Sequence, residues 1–125
     1  MATLELTSEN FATTIENSDT LVIDFWAAWC GPCRMFAPVF EATSEKHGDV
    51  TFAKLDTEAN GEIAAALEIS SIPTLMAFRG GVLVYRNAGA MNAAGFEQLV
   101  NAVKELDIDE VRAQAEQTKA QHESE

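Results

Sequence analysis

The chain has two cysteines, and both fall within Trp29-Cys30-Gly31-Pro32-Cys33. Two intervening residues place the thiols within one helical turn, close enough to open and close a disulfide. A protein that commits both thiols to one spot uses them for chemistry. In an intracellular chain with a βαβ-like pattern, Cys-x-x-Cys reads as a redox motif. The pair sits where an apolar run ends and an amphipathic segment begins. The exposed N–H groups and dipole at a helix start stabilise an anion. A thiol placed there ionises more easily, and the thiolate is the nucleophile. Cys30 is therefore the expected attacker on a disulfide of another protein. Cys33, one turn further in and more buried, is the expected resolving thiol. Gly31 and Pro32 form the tuning loop; neither adds the positive charge that would make the disulfide more oxidising.

The same thiols also fit half a zinc site. A structural zinc needs four ligands, and His47 and His122 are not in finger spacing with the cysteines. No metal is expected.

The surrounding elements must hold this loop in place. Thr7 reads as the N-cap of a short helix marked by Phe11 and Ile15. Leu21-Val22-Ile23-Asp24-Phe25-Trp26 is a nearly continuous apolar run, suited to a strand covered on both faces. Pro32 fits the first turn of the next helix. Met35, Phe36, Val39 and Phe40 form its core stripe, Pro38 should kink it, and Gly48 ends it. Val50 to Leu55 is a second strand, and Asn60 to Leu67 a short helix. Thr74 to Phe78 and Val82 to Tyr85 are strands joined by the hairpin turn Arg79-Gly80-Gly81. Asn92 caps a last helix with Phe96, Leu99, Val100, Val103 and Leu106 on one stripe. The class is α/β: a central mixed sheet of five strands, or four if the N-terminus adds none. Four helices flank it on both faces.

The 125 residues suffice for one domain. A net charge of −12 argues against nucleic acid and anionic membranes as partners. The N-terminus lacks a basic segment followed by an apolar one, and no stretch is long enough to span a membrane. The expected location is the cytoplasm, a reducing compartment where a catalytic disulfide is more plausible than a structural one. The domain is read as 1–106. Residues 107–125 carry six acids (Asp107, Asp109, Glu110, Glu116, Glu123, Glu125) against Arg112 and Lys119. With only Ile108 and Val111 as large apolar groups, this extension reads as a frayed helix or a disordered tail.

Six segments together resemble the thioredoxin family, in that family's order, between about Leu4 and Leu106. They are Val22-Ile23-Asp24-Phe25-Trp26-Ala27, Trp29-Cys30-Gly31-Pro32-Cys33, Ala37-Pro38, Ala53-Lys54-Leu55-Asp56, Ile72-Pro73-Thr74 and Gly89-Ala90. The resemblance implies the thioredoxin fold and protein disulfide reduction by a Cys30–Cys33 couple with no bound cofactor. Electrons would come from a flavin-dependent thioredoxin reductase, and the partners would be many disulfide-containing proteins met by a monomer. Rival readings are a disulfide oxidant or isomerase on the same fold, and a binding module or holdase that turns nothing over.

The resemblance also bears on single residues. Asp24 lies inside an apolar run, where burial would raise its pKa. Thioredoxins give the matching aspartate the task of taking the resolving thiol's proton; by periodicity alone Asp24 could equally be half exposed. Lys54 could partner it or stand solvated. The family implies a cis Ile72-Pro73 bond with the Ile72 backbone beside Cys30, while the sequence alone allows a strand-start proline. Trp29, Ile72, Gly89 and Ala90 would form a shallow apolar patch for substrates, with Pro73 among them. Arg34 and Ser70-Ser71 depart from the usual family residues, and the serines could alter substrate preference.

Overall fold

The computed structural model describes residues 2–123. Strand β1 (Thr3–Glu5) leads through α1 (Phe11–Asn17) to β2 (Thr20–Trp26), then α2 (Gly31–Lys46) and β3 (Thr51–Asp56). Helix α3 (Gly61–Ala66), β4 (Thr74–Arg79), β5 (Val82–Ala88), α4 (Ala93–Glu105) and α5 (Ile108–Glu123) follow. The sheet order is β1-β3-β2-β4-β5. β1 and β2 run parallel to β3, and β4 pairs antiparallel with β2 and β5. The mixed five-stranded sheet agrees with the sequence reading, including the short first strand.

Alternation along β2 divides the core. Val22 joins Phe36, Phe40, Phe52, Phe96 and Val100 under α2 and α4. Leu21, Ile23 and Phe25 face the other way, against Phe11, Ile15 and Ile63 of α1 and α3. β2 is thus covered on both faces, as its apolar run requires. Among the described residues no helix is long and apolar enough to cross a membrane.

Two local expectations need correction. Thr7 does not cap α1: Asn10 holds the N-cap position, and Thr7 closes the preceding turn, its carbonyl accepting from the Phe11 N–H at 3.0 Å. Met35 is not core but 79% exposed, because the buried stripe of α2 runs through Cys33, Phe36 and Phe40. Pro38 lies inside α2, which runs from Gly31 to Lys46. Asn92 does cap α4, accepting from the Gly95 N–H at 2.7 Å.

A fifth helix joins the four expected. Asp107 starts α5 by accepting from the Glu110 N–H at 2.9 Å, a capping role hidden among the tail's acids. Its first turns are tied to the β4–β5 turn. Arg79 Nε donates to the Leu106 carbonyl at 2.8 Å, and Arg112 Nε donates to that of Gly80 at 2.9 Å. Gly80 and Gly81 both have positive φ, 60° and 84°, as a two-residue hairpin demands. A Cβ on Gly80 would lie 2.6 Å from Ile108 Cγ2. Gly80→Ala should therefore cost about 1–2 kcal/mol from the left-handed backbone alone, and should release Ile108. Urea unfolding with amide exchange over 108–115 reads both effects. Gly48→Ala, where nothing lies within 4 Å, should leave the exchange of that segment unchanged.

Candidate active site

The site forms at the carboxyl end of β2, where the chain turns into α2. Cys30 is the N-cap of α2 in extended conformation, and its sulfur accepts from the Cys33 N–H at 3.2 Å. Pro32 in the first turn has no N–H to satisfy. One of the donors that a helix leaves unpaired at its start, the Cys33 N–H, is thus directed at the Cys30 sulfur. In the structure Cys30 and Cys33 are joined in a disulfide. Their exposures are 4% and 3%, so burial does not separate them as expected. What separates them is position: Cys30 is the cap, and Cys33 lies inside the helix.

Ile72-Pro73 is a cis peptide, and the Ile72 carbonyl oxygen lies 3.7 Å from Cys30 Sγ. Thr74 Oγ1 donates to the Ser71 carbonyl, and the Gly89 N–H donates to that of Pro73 at 2.7 Å. Gly89 has φ 114°, a backbone that favours glycine. These bonds hold the Ile72 segment against the cysteines, where Ile72 packs with Trp26 around Ala27, Cys30 and Cys33. Trp29 is 67% exposed, its indole N–H donating to Glu58 Oε1 at 2.7 Å. Ala90 is also exposed. The structure thus brings Cys30, Ile72, Pro73 and Gly89 together, with Trp29 and Ala90 on the open surface.

Asp24 is fully buried. It shares the β2 face of Val22, which α2 covers, and this removes the half-exposed alternative. Neither carboxyl oxygen has a hydrogen-bond partner among the described residues. Burial pushes its pKa from 3.8 up to about 7, against the opposing pull of the Lys54 charge. Lys54 is opposite Asp24 in the β2–β3 register. It makes no ion pair with Asp24; its ammonium lies 4.9 Å from the Trp26 ring centroid. That contact keeps it nearby as a cation–π neighbour.

Two contacts escaped the sequence reading. Glu58 fixes the Trp29 ring, and Arg34 folds back so that Nη1 donates to the Ala28 carbonyl at 2.8 Å. Arg34 thereby holds a cation at the thiol end of α2, on the loop whose two middle residues carry no charge. Neither contact has a local sequence pattern; only the charge of Arg34 after Cys33 hinted at it. Among the described residues no histidine side chain approaches the cysteines as a ligand. His47 is buried against Glu97 at 2.7 Å, and the His122 side chain lies outside the described residues.

A dithiol couple at a helix start, facing a cis-proline backbone, defines a thiol–disulfide oxidoreductase. Comparison with known proteins agrees. The thioredoxin family model matches residues 2–105. A Streptomyces coelicolor protein assigned as thioredoxin 2 is 46% identical over 120 residues, 96% of this chain and 90% of that protein. A bifunctional thioredoxin reductase/thioredoxin of Mycobacterium leprae is 44% identical over 94 residues, 74% of this chain and 20% of that protein. Among solved structures, a point-mutant thioredoxin of Halobacterium salinarum superposes with TM-score 0.77. It is 30% identical, and the match covers 84% of this chain and 93% of that one. The chain belongs to the thioredoxin family. It is a protein disulfide oxidoreductase whose redox group is the Cys30–Cys33 pair.

The raised pKa of Asp24 fixes a sign. Between pH about 4 and about 7 the folded state holds a proton that the unfolded state has lost. Stability therefore falls as pH rises through that window, and levels off above it. Asp24→Asn should remove this slope. Relative to the variant, wild type should lose up to about 4 kcal/mol between about pH 4 and about pH 8, taking about 1.36 kcal/mol per unit. Urea melts of both proteins across that range give the difference, and parallel curves would contradict the assignment.

Proposed function

We propose that this chain reduces protein disulfides with Cys30 as nucleophile and Cys33 as resolving thiol. The observation that carries it is the seat of the Cys30 sulfur, 3.2 Å from the Cys33 N–H and 3.7 Å from the Ile72 carbonyl oxygen. In the reduced protein the Cys30 thiolate attacks one sulfur of a substrate disulfide. That bond breaks, and the leaving sulfur departs as a thiolate that takes up a proton. Cys33 then gives up its proton and attacks the Cys30 sulfur. The second substrate sulfur leaves, two electrons have passed to the substrate, and Cys30–Cys33 is a disulfide.

Asp24, in its ionised form, is the acceptor for the Cys33 proton. A carboxyl group titrating near neutral pH can both take and release that proton. Lys54 tunes it through its charge, without contact. Gly31 and Pro32 leave the loop uncharged and compact, which favours reduction over oxidation. Trp29, Ile72, Pro73, Gly89 and Ala90 form the substrate face. An extended substrate segment pairs with the Ile72 backbone, so recognition depends little on side chains and admits many partners.

The electron source is a flavin-dependent thioredoxin reductase, a reading supported by the Mycobacterium leprae relative that carries both names in one polypeptide. The protein acts in the cytoplasm as a monomer, and residues 1–106 form the redox domain, with 107–125 as an acidic extension.

Cys33→Ser should accumulate a mixed disulfide through Cys30 when mixed with an oxidised protein substrate, and Cys30→Ser should accumulate none. Mass spectrometry of the adducts decides; trapping through Cys33 would reverse the roles. The potential of the couple should lie near about −270 mV, the value known for thioredoxin and carried over from the family. A value nearer about −180 to −120 mV would mark an isomerase or oxidant.

A further inference from the structure

A polar cavity of about 290 Å³ opens beside the redox site, lined by Ser70, Ser71, Thr74, Arg86 and Asn87, among others. It adjoins the segment that faces the cysteines. Ser71 precedes Ile72, whose carbonyl lies 3.7 Å from Cys30 Sγ. On the other wall Ala88 pairs with Thr74, and Gly89 is bonded to Pro73. An extended peptide advances about 3.3 Å per residue. A segment paired with Ile72 would therefore bring a side chain about two or three residues from its cysteine over this cavity.

The lining is rich in unused donors. The Ser70 and Ser71 hydroxyls and the Asn87 amide make no hydrogen bond among the described residues; only Thr74 Oγ1 is engaged, with Ser71. Arg86 is the cation of the cavity. Its Nη2 donates to the Glu68 carbonyl at 2.8 Å, and no carboxylate pairs with it among the described residues. Glu68 lines the same cavity but contributes its backbone to Arg86, not an ion pair. A guanidinium has five donors in a rigid fork, so one anchored edge leaves the rest for a planar acceptor. Anchoring also reduces the side-chain entropy lost on binding. In a chain with 20 acids and 8 bases, an unpaired arginine at a polar cavity is a local exception to a field that repels acids.

We propose that this cavity is a substrate subsite in which Arg86 receives the carboxylate of an acidic side chain. That side chain would sit about two or three residues from the attacked cysteine. The inference rests on the reductase reading and adds a class of preferred substrate to it. Backbone pairing at Ile72 admits many sequences, and Arg86 ranks them by charge at one position.

The test uses acetylated and amidated peptides, so that the only carboxylate is a side chain. Each holds one disulfide and differs only in Glu, Gln or Lys at the second or third residue on either side of the cysteine. Reduced full-length protein is mixed with each in single turnover at low salt. At one of these positions the Glu peptide should react about two- to fivefold faster than the Gln peptide. That ratio should fall toward one in Arg86→Gln and in about 0.5 M salt, where charges are screened. Arg86→Glu should reverse the preference toward Lys. A Glu-to-Gln ratio identical in wild type and Arg86→Gln at every position overturns the subsite. Equal rates for all peptides remove it while leaving the reductase reading intact. If wild type reduces no peptide faster than Cys30→Ser does, the reductase reading falls and the subsite with it.

Discussion

The helix start at Cys30 is the constraint around which the molecule is arranged. A helix leaves its first N–H groups without partners, and here the Cys33 N–H among them is aimed at the Cys30 sulfur. Everything near the loop preserves that aim. β2 delivers the chain from the centre of the sheet, covered on both faces. Pro32 enters the helix where its missing donor costs nothing, and the Arg34 guanidinium is folded back to the same end. The cis Ile72-Pro73 segment then sets a backbone carbonyl 3.7 Å from the sulfur. In the proposed mechanism, one element supplies the reactive atom, and another supplies the surface on which a substrate strand lies.

Asp24 is a buried group that the fold holds at a cost to its stability. A fully buried carboxyl without a hydrogen bond is destabilising when charged. The fold keeps it, with its pKa lifted to about 7 by burial and held back by Lys54. An exposed aspartate would be ionised throughout the physiological range and would hold a proton poorly. In the proposed mechanism, stability is given up at this position for a group whose charge changes during turnover, the pattern expected where pKa values are tuned for function. Lys54 fits that account because it acts from a distance: a direct ion pair would have pulled Asp24 back toward an ordinary carboxylate.

The longer strands and the cysteine loop were legible in the sequence because each has a local signature, whereas the cis Ile72-Pro73 segment came from the family resemblance, the sequence alone equally allowing a strand-start proline. Apolar runs mark strands, Pro32 marks a helix start, and the paired glycines mark the hairpin. What was not legible depended on neighbours remote in the chain. Periodicity put Asp24 and Val22 on one face but could not say that α2 covers it. The same limit misplaced Met35, since a helical stripe has edges that only the partner helix defines. The tail looked unanchored because its anchors are backbone carbonyls and arginines: Arg79 reaching Leu106, and Arg112 reaching Gly80. The cavity at Arg86 joins residues on either side of the β4–β5 hairpin, and no window of sequence contains it.

The central claim is that position at the helix start, and not depth of burial, makes Cys30 the reactive thiol. The most direct measurement is the pH dependence of iodoacetamide alkylation of the reduced protein, resolved by residue with mass spectrometry. Cys30 should be modified first, with an apparent pKa below the about 8.5 of a free thiol, while Cys33 stays unmodified through neutral pH. Equal alkylation of both thiols, or a Cys30 profile centred at or above about 8.5, would contradict the account.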